Sequence, residues 1–271
     1  KLPEILETGG LAVSTGMNTP SSLNQSVWSA CEIIKYLTGK DWCRLKDISQ
    51  GVKMDPAKVH RLLSTLALHD FIQLDSDTHR YRLGFQFYTI AYHMSRDNLL
   101  SFARPQIEYA ASELFETINL GILTNDKSKL VYIYRIDGNL SAEYSDVPLG
   151  ASCFAHESAL GKCILAYLPY GERMSVLNRI EFRQHTQKSI IAKEALQGEL
   201  DVTRERGYAI DDEEVSPGVY CVAMPIFDST NQIVAAMSVS MQEMPHDRKL
   251  EHTLNVLKTA TTRISKALKH N

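Results

Sequence analysis

Apolar residues along this chain change their spacing several times, and each change marks a new element. From Ser26 to Gly39 they recur every three or four residues. This predicts an amphipathic helix that ends at glycine and buries Trp28, Ile33, Ile34 and Leu37. Between Arg44 and Leu83 the helical spacing returns twice in short form. Leu45, Ile48 and Val52 mark one helix, and Val59, Leu62, Leu63, Leu66 and Ala67 mark a second. Asp55 followed by Pro56 pairs an N-cap with a first-turn proline, so the second helix starts there. A β-hairpin with its tip at Asp75-Ser-Asp-Thr78 follows directly. Helix, turn, helix, hairpin is the order of a winged helix-turn-helix, and it points to duplex DNA. Winged helices also serve as protein-interaction modules, so the order alone leaves that alternative open.

Beyond the hairpin, the aromatic stretch Gly84 to Met94 predicts a connecting helix whose rings serve a core or a dimer seam. Phe102–Thr117 reads as another helix, with Arg104–Pro105 in its first turn. The period then falls to two. Asn119–Leu123 and Val131–Arg135 predict a hairpin, and Leu140–Tyr144, Val219–Phe227 and Ile233–Gln242 predict further strands. Helices are expected at Glu157–Leu168, Gly171–Val176, Lys193–Glu205 and Leu250–His270. The fold class is therefore α+β: an N-terminal winged helix-turn-helix, residues 23–84, is joined by a linker helix, 85–98, to a sensor domain on an antiparallel sheet, 99–271. Residues 1–22 are read as an extension outside the fold, expression-derived or disordered; residues 1–16 match nothing downstream and precede Met17, a plausible native start.

At 271 residues the chain is long enough for two cores. The net charge of -3 hides an asymmetry: residues 23–83 carry a net +2 and residues 84–271 a net -4. A slightly basic head on an acidic body suits DNA binding joined to sensing. The five cysteines show no paired metal spacing, so no metal and no cofactor are expected. No signal peptide and no apolar run of membrane-spanning length is seen, which predicts a cytoplasmic protein with reduced thiols and no membrane partner.

The candidate chemistry of the head lies on the outer face of the second helix. Lys58, His60, Arg61 and Ser64, with Ala57 beside the helix start, are placed to meet base edges in a groove. Arg44, Lys46, Arg80 and Arg82 suit the phosphate backbone.

Three segments of the second domain look chemical. In Phe154-Ala-His-Glu-Ser-Ala-Leu-Gly-Lys162, small residues at a helix start either bring free N–H groups near an anion or simply pack tightly at Gly161. The acids of Asp211-Asp-Glu-Glu214 read as a loop either solvated or hydrogen-bonded to neighbouring backbone, and Cys221 as a small buried hydrophobe opening a strand. In Ser238-Val-Ser240, both hydroxyls share one face of a strand and suggest a polar patch within a pocket. A cysteine-dependent enzyme, with Cys221 as nucleophile and His156 or Asp211 as base, is the competing class; nothing in the spacing establishes it.

Taken together, these segments resemble the IclR family of bacterial transcriptional regulators from about Ser26 to the end of the chain. The matches are Val59-His-Arg-Leu-Leu63, Tyr81-Arg-Leu-Gly84, Gly161–Lys162, Arg206-Gly-Tyr208, Asp211-Asp-Glu-Glu214, Gly218, Cys221 and Pro225-Ile-Phe-Asp228. The resemblance implies a winged helix, a dimerising linker helix and a GAF-like effector-binding domain. It implies a repressor that binds an operator as a homodimer or a dimer of dimers. It places a small effector, an organic or sugar acid, among Ala142, Ser145, Ala159, Leu160, Asp211, Val219, Cys221, Ser238 and Ser240. N–H groups near Ala159–Gly161 are then expected to take the carboxylate. Two departures stand out. Ala57–Lys58 replaces a Ser-Thr pair found in many relatives, so an operator sequence does not transfer. Phe154 and Ala155 stand where relatives often carry proline and a bulkier apolar residue, which changes pocket size.

Overall fold

The computed structural model describes residues 23–96, 99–138, 148–243 and 245–269. These group into two compact units, one ending at Arg96 and the other starting at Leu99.

The first unit is a winged helix-turn-helix. Helix α1 (Gln25–Leu37) is capped by the Asn24 side chain, which accepts from the amides of Ser26 and Val27. Its buried stripe is Ser29, Ile33 and Leu37; Trp28, expected inside, is instead 36% exposed. The stripe follows strict i, i+4 steps, and Trp28 lies one residue off it, about 100° around the helix. Helices α2 (Leu45–Gly51) and α3 (Pro56–Leu68) follow. Asp55 caps α3, its carboxylate accepting from Ala57 and Lys58 at 2.9 and 3.1 Å, with Pro56 in the first turn as its fixed φ favours. Ile33, Leu37, Ile48, Val59, Leu63, Ile72 and Tyr81 form the core. The wing gains a strand that the periodicity did not show. β1 (Cys43–Arg44) pairs with β3 (Arg80–Leu83), which pairs with β2 (Ile72–Asp75). Two residues are too few to show a period. Helix α4 (Gln86–Arg96) closes the unit.

The second unit carries a six-stranded antiparallel sheet in the order β6-β5-β4-β9-β8-β7: β6 is Ser152–Phe154, β5 Lys129–Ile136, β4 Thr117–Leu123, β9 Ile233–Met241, β8 Tyr220–Phe227 and β7 Ala209–Asp212. Alternation splits the sheet into two faces. Ile118, Leu120, Val222, Met224, Ile226, Met237, Val239 and Met241 point to one face and pack on α5 (Leu99–Leu114) and the C-terminal helix α9 (Asp247–Lys269). Ala209, Ala223, Ala236, Leu130 and Cys153 point to the other face, against α6 (Ala159–Tyr167). Helices α7 (Tyr170–Leu177) and α8 (Lys193–Arg206) pack outside α6. Gly207 ends α8 at φ +88, the left-handed conformation that glycine adopts without strain.

Three expectations need correction here. Thr117 opens β4 instead of closing a helix, because α5 starts earlier and ends at Leu114. Pro105 sits inside α5, not in its first turn. β6 and β7 are strands where a loop was expected; each is held by the register of its neighbour and not by its own pattern. The expected strand Leu140–Tyr144 lies outside the described residues. No helix among the described residues is long and apolar enough to cross a membrane.

Candidate functional site

On the head, α3 presents Ala57, His60, Arg61 and Ser64 exposed, with Lys58 half-buried. The Ser64 hydroxyl donates to the His60 carbonyl at 2.9 Å, leaving its oxygen lone pairs outward. Arg44 and Lys46 are exposed around the start of α2. Arg80 and Arg82 are half-buried on β3. Arg82 is partly engaged by the wing itself: its guanidinium stacks 4.4 Å over Trp42 and its Nε donates to Gln73 at 2.9 Å. At the tip, the Asp75 carboxylate accepts from the amides of Asp77 and Thr78.

In the second unit the α6-facing side of the sheet carries two aligned rows of side chains. The register sets Asp211 beside Cys221, Cys221 beside Ser240 and Ser240 beside Thr117, one residue from each of four adjacent strands. The next row runs Ala209, Ala223, Ser238, Asn119 and Arg135. Contacts join the rows: Cys221 Sγ lies 3.2 Å from Ser240 Oγ, and Asn119 Nδ2 donates to the same oxygen at 3.2 Å. Alanines at 209, 223 and 236, with Gly121, keep this face shallow while the polar atoms stay within it.

The acid segment divides: its outer acids lie near solvent, whereas an inner one is hydrogen-bonded to neighbouring backbone. Asp211 and Glu214 are buried, and the Asp211 carboxylate accepts from the Glu214 amide at 2.9 Å. Lys162, fully buried on α6, reaches back to Glu214 Oε1. Burial pushes Asp211 up to about 7, with Lys162 opposing and Glu214 adding to the rise. Asp212 and Glu213 remain near the surface, paired with Lys188. A cation 52 residues upstream therefore holds Glu214, and no local pattern announces it.

Gly161 packs tightly. A Cβ there would sit 2.0 Å from the Ala155 carbonyl oxygen. Its amide donates to Ser158 Oγ at 3.0 Å, which caps α6, so this N–H is already used. Ala159 and Leu160 are buried against the sheet, and Val219 sits in the turn before β8, half-buried. Ala142 and Ser145 lie outside the described residues.

The enzyme reading loses its parts. Burial raises the Cys221 thiol well above its usual range, so it is protonated; its hydrogen-bond neighbour is the Ser240 hydroxyl, and Asp211, beside it in the register, raises the thiol further instead of activating it. His156 is buried between Phe154 and Phe182, neither ring nitrogen has a hydrogen-bond partner among the described residues, and burial lowers it to about 4. Among the described residues no cluster suits a metal ion. Asn119, Tyr132, Cys153 and Arg135 join this face without having been singled out, since each is one residue in an apolar strand. Tyr132 lies within electrostatic reach of Cys153, Cys221 and Asp211, and burial lifts its hydroxyl well above the usual range.

A family model described as bacterial transcriptional regulator IclR C-terminal matches residues 91–266, and one for the IclR helix-turn-helix domain matches residues 30–76. The chain is 31% identical over 248 residues to the HTH-type transcriptional regulator XynR of Escherichia coli K12, covering 90% of this chain and 97% of the relative. It is 28% identical over 220 residues to the transcriptional repressor IclR of the same organism, covering 80% of each. Among solved structures, an IclR homologue from Microbacterium hydrocarbonoxydans complexed with 4-hydroxybenzoate shares the fold. Its TM-score is 0.80 at 18% identity, covering 91% of this chain and 100% of that one. The family and its matched regulators are not enzymes.

Proposed function

The chain belongs to the IclR family of bacterial transcriptional regulators, and on that basis we propose that it is a repressor sensing a small organic or sugar acid on the polar face of its sensor sheet. The observation that carries the reading is Ser240, in contact with both Cys221 and Asn119 and with Asp211 next to Cys221 in the strand register, on a face lined by alanines. Such a face offers several hydroxyl partners to a small polar ligand while its apolar floor excludes water. Ala159, Leu160, Val219 and Ser238, with Ala142 and Ser145, complete the site in this reading.

The output is duplex DNA. Arg61, His60, Lys58, Ser64 and Ala57 meet base edges, and Arg44, Lys46, Arg80 and Arg82 meet phosphates. Phe85 and Tyr88, 61% and 76% exposed, supply an apolar seam for a homodimer or a dimer of dimers. Effector binding shifts the population of DNA-competent arrangements through the 85–96 segment. The repressor assignment draws on the name of the Escherichia coli relative, and the acid draws on the 4-hydroxybenzoate complex of the Microbacterium homologue.

A thermal-shift screen of small organic and sugar acids tests the sensor half. A ligand at 100 times its Kd stabilises by about 2.7 kcal/mol, roughly 5–10 °C for a unit of this size. The output half is tested by binding of fragments from the chain's own genomic neighbourhood, with and without the stabilising acid. Acids that all leave the melting point unchanged refute the sensing role.

A further inference from the structure

The structure leaves two buried polar atoms of the sensor face without partners, and they belong to cross-strand neighbours. Asn119 on β4 is register partner to Arg135 on β5. The residues flanking them, Ile118, Leu120, Tyr134 and Ile136, face the opposite core, so both side chains project toward the polar face. Each is anchored at one end. Arg135 Nε is held by Asp137, and Asn119 Nδ2 donates to Ser240 Oγ. Each is unsatisfied at the other: Arg135 Nη2 and Asn119 Oδ1 are buried with no hydrogen-bond partner among the described residues. The Arg135 side chain is 7% exposed and Asn119 is 4% exposed, so water does not readily replace the missing partners.

We infer that Arg135 and Asn119 form the anchoring end of the effector site, with Arg135 taking the carboxylate of a hydroxy acid and Asn119 Oδ1 taking its neighbouring hydroxyl. This rests on the acid-sensing reading above and adds the ligand's orientation. An unpaired guanidinium N–H calls for an anion, and an unpaired amide oxygen calls for a donor. Neighbouring strands run about 4.8 Å apart, so one small molecule bearing both groups on adjacent carbons reaches both. The other candidate anchor, the start of α6, has its Gly161 and Lys162 amides closed by Ser158; Ala159 and Leu160 offer only neutral N–H groups, whereas Arg135 offers a charged one. Asp211 and Glu214 lie toward β7, at the far end of the sheet from Arg135, and the cation there, Lys162, is already paired with Glu214. Charge and orphaned atoms therefore agree on which end of the ligand goes where.

The test is calorimetric titration of the full chain with L-lactate, D-gluconate and 4-hydroxybenzoate, each paired with its neutral amide, and with propionate as the deoxy partner of lactate. Wild type is expected to prefer at least one hydroxy acid over its amide by tenfold or more. Arg135→Gln is expected to erase that preference. Asn119→Ala is expected to narrow the gap between lactate and propionate, and Ser240→Ala to weaken acid and amide alike. If Arg135→Gln does not fold, Arg135→Lys serves in its place, with a reduced preference expected. Side-chain nitrogen resonances of Arg135 in wild type, expected to shift with acid and not with amide, give a readout free of variants. An acid preference that survives in folded Arg135→Gln overturns this inference and leaves acid sensing standing; it marks Arg135 and Asn119 as a structural pair only. Failure of every acid to bind wild type removes the acid-sensing reading and this inference with it.

Discussion

Lys162→Met removes the cation paired with Glu214 and keeps most of the side-chain volume. Lys162 is fully buried on α6, Glu214 is nearly so, and the Asp211 carboxyl lies close by, already pushed up to about 7. Breaking a buried ion pair by deleting one partner costs about 3–5 kcal/mol, because the survivor is left without a counter-charge. At about 2–4 °C per kcal/mol for a unit of this size, the thermal midpoint should fall by roughly 6–20 °C. The double variant Lys162→Met with Glu214→Gln removes both charges and should recover about half of that loss or more. The sign with pH follows from linkage. Without Lys162, the folded-state pKa values of Asp211 and Glu214 rise further above their unfolded values. The folded state then holds protons that the unfolded chain has released, and stability falls as pH rises through that window. The deficit of Lys162→Met should therefore be larger at pH 8 than at pH 5. Urea unfolding followed by circular dichroism at both pH values measures it, provided the m-value is constant. A deficit equal at both pH values, or a double variant as unstable as the sum of its parts, refutes the argument.

Other consequences follow from single contacts. Gly161→Ala forces a Cβ against the Ala155 carbonyl, a backbone atom with little room to yield, so it should destabilise by about 1–3 kcal/mol or more in a melting experiment. His156 titrates near 4 in the fold against 6.5 when free, so its contribution is lost as pH falls from about 6.5 toward 4. His156→Phe, packed between Phe154 and Phe182, should flatten that acid limb, worth at most ~3 kcal/mol, in a pH series of urea midpoints. On the head, Arg61→Ala should cost about 1–3 kcal/mol in operator affinity and relax sequence preference in a gel shift. Lys46→Ala should weaken all sequences alike and lower the salt slope by about one.

Much of the head was legible because its determinants are local. Asp55–Pro56 states where α3 begins, and the i, i+4 stripe through Val59 and Leu63 states which side of it is buried. What escaped was what no short window holds: a two-residue strand, and a tryptophan one position off its stripe. In the second unit, alternation correctly set Ser238 and Ser240 on one face of β9. It could not say what stood beside them. Asn119 reaches Ser240 across 121 residues of sequence, and Cys221 reaches it from the other side.

The amino-acid sequence by itself determined the periodicities, the caps and turns, and hence the winged helix and an antiparallel α+β body. These depend on neighbours within a few residues, whose geometry the backbone dictates. Only the tertiary structure decided the strand order β5-β4-β9-β8-β7 that lines up Asp211 with Cys221 and Ser240, and Arg135 with Asn119. The same order brought Lys162 over Glu214, adding a buried ion pair to an acidic loop that reads as solvated or bonded to neighbouring backbone. The physical reason is that a strand's own pattern specifies its two faces, whereas its partners are chosen by the burial of the whole sheet between α6 on one side and α5 with α9 on the other.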